Sequence, residues 1–373
     1  MSASEALAVV AGVTALGGVA WLPPRATRVC GALFGGLVSF AVARAAWGLP
    51  AGALTGVAIA ALLGRYGPPT VLRRLTFLVP SLLLLVFVTT LLMYHAPGSP
   101  FAGEKVVSAQ VEAALRAHFG IPKSAVEFFG IYLRRLIVEG SLGPSVKVQG
   151  RTVEALLGPA LPVSITLGLL ALMLASAAGL LLGVHAGLRP SSWSDSASTV
   201  LSAVGLSLPS FVIGSVLMVL FSLGLRWLPV AGWGGFRELV LPSITLALPY
   251  AAYIARLARS GTIEVMNEDF IRTARAKGLP ESAVVLRHAL KGAILPVVSF
   301  LGPAAAGIMT GSFVVETLFG IPGMGQWFVR GAINRDYSVV LGTALVYATL
   351  VTAFNLAVDL AYAWLDPRIR SRP

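Results

Sequence analysis

A single cysteine, Cys30, stands in 373 residues, so no internal disulfide can form, and no Cys/His spacing has the form of a zinc site. The four histidines, His95, His118, His185 and His288, are scattered along the chain. No convergent Ser/His pair or metal cluster is legible inside the apolar segments, which leaves a membrane-embedded enzyme, a resident metal and a cofactor without support. Charge is scarce too. Asp, Glu, Lys and Arg make up 12% of the chain, about half of the roughly 25% usual in a soluble domain. An ordinary soluble protein is excluded on that ground. No G-x-x-x-x-G-K-[ST] loop is present to cradle phosphates, so any ATP that drives this protein is hydrolysed elsewhere. The formal net charge of +12 raises the question of nucleic acid. Against it, the basic residues fall in short segments between apolar runs, and no aromatic-basic recognition module accompanies them.

What the chain has in abundance is apolar length. Hydrophobic residues reach 56% and the mean hydropathy is +0.83. Apolar runs of about 20 residues, enough to cross a hydrocarbon core of roughly 30 Å, recur along the sequence. They lack the period-2 alternation of barrel strands, so the fold class expected is all-α, a polytopic transmembrane helical bundle. Three segments rich in Gly and Ala occupy residues 6–22, 29–47 and 49–64. Six stronger ones follow at 75–94, 161–187, 198–223, 239–257, 293–319 and 339–365. We expect nine spans: three in an amino-terminal extension over residues 1–69 and six in a core over residues 70–370. The opening Met-Ser-Ala-Ser-Glu lacks the basic region of a secretory signal, so the first segment is expected to be retained.

Basic residues fix the direction of the core spans. Arg73 and Arg74 precede the first, Arg256 and Arg259 follow the fourth, Lys291 precedes the fifth, and Arg368, Arg370 and Arg372 follow the sixth. All four positions fall on one side, which the positive-inside bias makes cytoplasmic. The segment 96–158 is then external and exceeds the roughly 60 residues over which the bias operates, so its own lysines and arginines do not contradict the assignment. Within it Val111, Leu115 and Phe119 recur at the spacing of an amphipathic surface helix.

The most informative stretch is the cytoplasmic connection between the fourth and fifth core spans, residues 258–292. Glu268 and Asp269 open a helical pattern that Arg275 and Lys277 close, the arrangement that complements a helix dipole. Gly278 follows where a left-handed residue is needed, and Pro280 starts a second short helix at about Glu281. The pattern predicts a short, separately capped helix lying off the membrane. A bundle driven by a separate motor needs such a lever to follow its rigid-body stroke.

Arg272-Thr-Ala-Arg-Ala-Lys-Gly-Leu-Pro-Glu281, then Leu286-Arg-His-Ala-Leu290 and Ile294-Leu-Pro296, resembles the EAA loop of ABC importer permeases of the oligopeptide/dipeptide subclass. Further matches run in family order over about residues 70–370: Arg73-Arg74-Leu75 with Ala96-Pro-Gly-Ser-Pro100, Gly205-Leu-Ser-Leu-Pro-Ser-Phe211, Leu228-Pro-Val-Ala-Gly-Trp-Gly234, Val315-Glu-Thr-Leu-Phe-Gly-Ile-Pro-Gly-Met-Gly325, Arg335-Asp-Tyr337 and Leu365-Asp-Pro-Arg368. Arg272 stands where the general consensus has glutamate, and the interval from Gly278 to Pro296 is longer than the general form; both departures are usual in the peptide subclass. The resemblance implies a multi-pass protein of the cytoplasmic (inner) membrane. Its implied partners are two ATP-binding subunits, a second homologous permease and an extracytoplasmic substrate-binding protein. It further implies that Arg272, Thr273, Ala274, Gly278 and Leu279 couple the chain to the ATPase. Peptides come first among its cargoes, with nickel chelates as the alternative within the family.

Polar groups at membrane depth are the remaining candidates. Pro209 and Pro249 interrupt the third and fourth core spans, and Ser207, Ser210, Tyr250 and Tyr253 beside them are expected to line the pathway. Glu316 closes the fifth span, where it lines the outer entrance or caps the following loop. Asp359 and Asn355 share a face of the last span, where a tie to a cytoplasmic arginine is favoured over a proton relay. An ion-coupled secondary transporter predicts repeats and paired broken helices that the halves do not display.

Overall fold

The computed structural model describes residues 69–96 and 124–365, with single residues 101, 110, 111, 114 and 122 between them. The three amino-terminal segments, Cys30, Leu115 and Phe119 of the amphipathic pattern, the side chains of Arg73, Arg74 and Asp359, and the basic carboxyl-terminal tail lie outside the described residues.

Among the described residues the elements are helices, joined by short loops and one isolated bridge, Pro144 to Thr152. They are α1 (Pro69–His95), α2 (Ala125–Arg134), α3 (Val153–Leu188), α4 (Trp193–Ser207), α5 (Ser210–Leu217), α6 (Phe236–Met266), α7 (Asp269–Ala276), α8 (Glu281–Ala283), α9 (Leu290–Ala293), α10 (Leu295–Leu318), α11 (Met324–Asn334) and α12 (Tyr337–Leu365). Wide π-helical turns extend α2 through Arg135–Glu139, extend α5 through Met218–Gly224, and join α8 to α9 over Val284–Ala289.

Each of the six expected core spans is helical, with two differences. The stretch expected as a third span is two helices, Trp193–Ser207 and Ser210–Gly224, bent by 108°. Leu208 and Pro209 form the break, and Pro209 is extended at ψ 142. Pro249, expected to interrupt the fourth span, does not: α6 runs continuously through both Pro242 and Pro249. A proline forgoes one ladder hydrogen bond, and here the helix is held by neighbours along its length, with 56% of its apolar window buried. The first core span lies within α1, which runs Pro69–His95. Among the described residues, four helices, α3, α6, α10 and α12, are long and apolar enough to cross a membrane, or up to five spans if the bent pair is taken as one.

The chain divides into two compact units. In the first, which holds residues to Ala160 and Trp327–Thr352, α1 and α2 meet through aromatic rings. Tyr94 stacks on Tyr337 at 5.1 Å and lies 5.6 Å from Phe128, while Phe87 meets Phe129 edge-on at 5.1 Å. The loop Gly140–Arg151 is tied down by Asp336, which is 2% exposed. Its carboxylate accepts from the Ser145 hydroxyl and from the backbone N–H groups of Val146 (3.0 Å) and Lys147 (3.2 Å). Burying a carboxylate is tolerable only with such a set of donors.

In the second unit, Leu161–Gln326 and Ala353 onward, α6 is the central helix. It packs against α3 through Gly179, Gly183 and Gly187, one face of α3 at helical spacing. A Cβ at Gly183 would stand 2.3 Å from the Ala255 carbonyl oxygen, and one at Gly179 would stand 2.7 Å from that of Ala251. Gly183→Ala should therefore destabilise the chain by about 1–2 kcal/mol, the strain of overpacking less the gain in helix propensity. Thermal unfolding of the detergent-solubilised protein tests this, and an unchanged midpoint would rule out the close approach of α3 and α6. On the other faces of α6 lie α4, with Gly205 against Ala252, and α10, with Gly307 against the Tyr250 ring.

Candidate functional site

The connection from α6 to α10 is built from its own small core outward. α6 ends at Asn267, whose side-chain amide donates to the Ile263 carbonyl at 2.8 Å. Glu268 is extended and starts α7, and the Thr273 hydroxyl returns to the Asp269 carbonyl at 3.0 Å. Ile271 (0% exposed) and Ala274 (5%) face Val284, Ala289, Val265 and Met266, so α7 is seated on the turn that leads into α9. That apolar seat supplies what an eight-residue helix lacks alone, since isolated helices shorter than about 12 residues are marginal in water.

Gly278 ends α7 in the left-handed region, at φ 77. Its N–H donates to the Arg275 carbonyl at 2.9 Å, and the Leu279 N–H donates to Ala274 at 3.4 Å. These two bonds form a Schellman closure, which satisfies carbonyls that a helix end leaves open. Pro280 then stands at the N-cap of α8, one place before the first turn where sequence reading put it, and its carbonyl accepts from Ala283 and Val284. Arg275 spans the corner to Glu281 with a two-pronged pair, 2.6 Å at its shorter contact.

The Arg275 guanidinium, by its hydrogen bonds, holds the Glu281 carboxyl below its ordinary value, and Glu281 raises Arg275 in return. Because the carboxyl is lowered in the folded chain, the link is in place above the ordinary carboxylate range. It is lost as pH falls through the lowered value. Both groups are exposed, so the pair contributes little to stability. The carbon-13 shift of a labelled Glu281 carboxyl should titrate below the ordinary glutamate midpoint, and Arg275→Gln should move that midpoint back up; identical midpoints in the two proteins would dissolve the pair.

The residues expected to couple the chain to a motor divide by face. Arg272, Thr273, Gly278 and Leu279 are exposed, and Arg272 is steadied by Asp269 at 3.2 Å. Ala274 is not on that surface; it points into the loop's own core and seats the helix. The outer face also carries two apolar side chains that sequence reading passed over, Phe270 at 49% exposed and Leu286 at 67%. Spacing alone does not reveal Phe270, since it stands four residues before Ala274 and so shares its face of the helical wheel.

Of the residues expected to line a pathway, Ser207 is exposed and Ser210, Tyr250 and Tyr253 are half-buried. The Ser207 hydroxyl turns back to the Ala203 carbonyl at 2.8 Å, and Ser210 opens α5 beyond the bend. The Tyr250 ring packs on Gly307, and the Tyr253 ring lies 4.3 Å from that of Phe300 with the Arg256 guanidinium 5.6 Å from its centroid. Glu316 is 0% exposed. Its carboxylate accepts from the Ser164 hydroxyl and the Gly325 N–H, each at 2.7 Å, and Ser164 in turn accepts from the Met324 N–H at 2.9 Å. Through the Gly325 N–H, Glu316 ties the end of α10 to the first turn of α11. Asn355 abuts Gly302, with its side-chain oxygen 2.7 Å from where a Cβ would stand.

A set of apolar membrane-length helices interrupted by one separately capped amphipathic helix defines a multi-pass membrane transport component. The chain belongs to the family described as binding-protein-dependent transport system inner membrane component, which matches residues 179–371. It is 43% identical over 302 residues to the oligopeptide transport system permease protein OppB of Escherichia coli K12, covering 80% of this chain and 98% of that one. It is 38% identical over 299 residues to the dipeptide transport system permease protein DppB of Bacillus subtilis 168, covering 80% and 97%. A solved structure, described as an amino acid ABC transporter with histidines, aligns at a TM-score of 0.45 with 16% identity over 56% of this chain and 94% of that one. The protein is a transport permease subunit of the cytoplasmic membrane.

Proposed function

We propose that this chain carries peptides inward across the cytoplasmic membrane, paired with a second homologous permease. Two ATP-binding subunits drive the pair, and an extracytoplasmic binding protein supplies the peptide. The observation that carries the coupling half of this reading is the geometry of α7. The helix is closed at its carboxyl end by the turn at Gly278, seated by Ile271 and Ala274, and presents Phe270, Arg272, Thr273 and Leu279 outward. A rigid stub with an apolar and cationic outer face can enter a groove on a motor subunit and convey its closure to α6 and α10. The peptide half rests on the two named relatives, one an oligopeptide and one a dipeptide permease. The six-span core, the external segment 96–158 and the cytoplasmic side of the 258–292 loop follow from the charge distribution around the spans.

The test is uptake of a labelled tripeptide into proteoliposomes holding the whole importer, with Thr273→Cys cross-linked to a cysteine on the ATP-binding subunit. Cross-linking in good yield, and uptake that stops on cross-linking and resumes on reduction, is expected. No cross-link at this position, or uptake of a nickel chelate with none of peptide, would overturn the coupling and cargo parts respectively. A reporter fused after Gly150 should read external and one after Asn267 cytoplasmic.

A further inference from the structure

Between α4 and α6 lies a cleft of about 350 Å³, within the range of about 300–1,000 Å³ of small-ligand sites. Ser198, Thr199 and Ser202 line it from α4, and Arg256, Arg259 and Ser260 from α6. Many hydroxyls in the spans are turned back on the carbonyl one turn earlier, as Thr245 is on Leu241 and Thr262 on Ala258, both at 2.7 Å, although Ser243 is not. Those of Ser198, Ser202 and Ser260 have no such partner among the described residues, although Ser198 and Ser202 are each only 7% exposed. Hydroxyls that line a cleft with no partner inside the chain are free to donate to a ligand that accepts hydrogen bonds.

Charge narrows the ligand to an anion. Arg259 is neutralised by Asp195, at 2.8 Å between Nη2 and Oδ2, and Asp195 also accepts from the Ser191 N–H at 2.9 Å. Arg256 makes no ion pair among the described residues; its one recorded contact is the Tyr253 ring. The cleft thus carries one uncompensated positive charge.

Depth and polarity narrow it again. No charge stands between Glu238 and Arg256, a rise of roughly 27 Å along α6 at about 1.5 Å per residue. Arg256 therefore lies at the edge of the hydrocarbon core, at the level of lipid phosphates. Along α4 the lining passes from Ser198 and Ser202 to Leu206, which is 39% exposed, with Val204 at 51% beside it. On the reading that the α6 to α10 loop is cytoplasmic, the hydroxyl end faces the inner surface and the apolar end lies deeper, the order of headgroup and acyl chain in an inner-leaflet phospholipid. Trp193, 86% exposed at the inner end of α4, fits an interfacial anchor.

We propose that this cleft binds the headgroup phosphate of an anionic phospholipid from the inner leaflet, with Arg256 supplying the charge and Ser198, Ser202 and Ser260 donating to the phosphate oxygens. Basic pockets between spans on the cytoplasmic side are suited to such headgroups. The single uncompensated charge favours a headgroup of net charge −1 over a zwitterionic one.

The complete importer, purified from nanodiscs containing equal phosphatidylglycerol and phosphatidylcholine, should retain phosphatidylglycerol preferentially when its bound lipid is counted by native mass spectrometry. Arg256→Gln should weaken that retention about tenfold, the effect of losing one charge-assisted hydrogen bond, and the double variant Ser198→Ala, Ser202→Ala should weaken it by a similar factor. Retention unchanged in both variants would overturn the proposal. Release of the bound lipid by a tripeptide with a free carboxyl terminus, but not by its amide, would assign the cleft to the cargo instead. The proposal rests on the orientation read above, and that is checked separately. Asn267→Cys in a Cys30→Ser background should resist an impermeant maleimide in sealed cells; labelling there would sink the orientation, while the retention assay would still decide whether the cleft holds lipid.

Discussion

Gly278→Val should lower ATP-driven uptake by roughly 5–30-fold while leaving the amount of chain in the membrane unchanged. The reason is conformational. Gly278 sits at φ 77, and a Cβ added there would meet nothing within 4 Å, so no clash within the chain follows. What is lost is the left-handed closure itself. An L-residue in that region costs about 1–2 kcal/mol, more for a β-branched one, which is a factor of roughly 5–30 in the population of a docking-competent α7. Asparagine tolerates the left-handed region, so Gly278→Asn should keep most of the uptake and Gly278→Ala should fall between. That order of three substitutions separates a requirement on φ from a requirement on space. Equal uptake in all three would mean that the closure of α7 has no part in coupling, whereas an equal loss in all three would point to a subunit surface pressed against the glycine.

How far such a site is legible in sequence depends on whether its cause is local. The closure at Gly278 was readable because its determinants, acid at one end, base at the other and glycine then proline beyond, all lie within a dozen residues. The helical segments of the core were readable because hydropathy is a sum over a window. The two prolines show the limit. Pro209 and Pro249 are the same residue in similar apolar surroundings, yet one marks a bend of 108° and the other lies inside a continuous helix. The difference lies in what packs around α6, and that is not written near Pro249. Ala274 illustrates the same point at the site: motif resemblance grouped it with Arg272 and Thr273, but only the position of Val284 and Ala289 reveals that it faces inward. Glu316 is the extreme case, since its partners Ser164 and Gly325 are separated from each other by most of the second unit's sequence.

That three-way tie at Glu316 carries the largest stability effect expected. Glu316→Ala removes the acceptor of two buried donors, the Ser164 hydroxyl and the Gly325 N–H, in a place no water reaches from solvent. A buried donor left unsatisfied costs about 1–3 kcal/mol, so a loss of roughly 2–5 kcal/mol is expected. In a chain of this size that lowers the thermal midpoint by roughly 3–6 °C. Glu316→Gln keeps one carbonyl oxygen for Gly325 and should cost less, because its amide can donate to the Ser164 oxygen where the carboxylate had accepted. If Ser164 and Glu316 act as one unit, Ser164→Ala combined with Glu316→Ala should cost less than the sum of the two singles, since Ser164→Ala removes the hydroxyl donor that Glu316→Ala orphans. Additive losses would mean that the two residues stabilise the chain independently. The consequence for transport follows from position: the tie joins the end of α10 to the first turn of α11 and to α3, so its loss should reduce uptake in parallel with stability. Arg272→Ala provides the contrast. Its side chain is exposed and paired only with Asp269, so it should leave the thermal midpoint in place while reducing uptake. A protein in which Glu316→Ala abolished uptake without moving the midpoint would show instead that the carboxylate takes part in the passage of cargo.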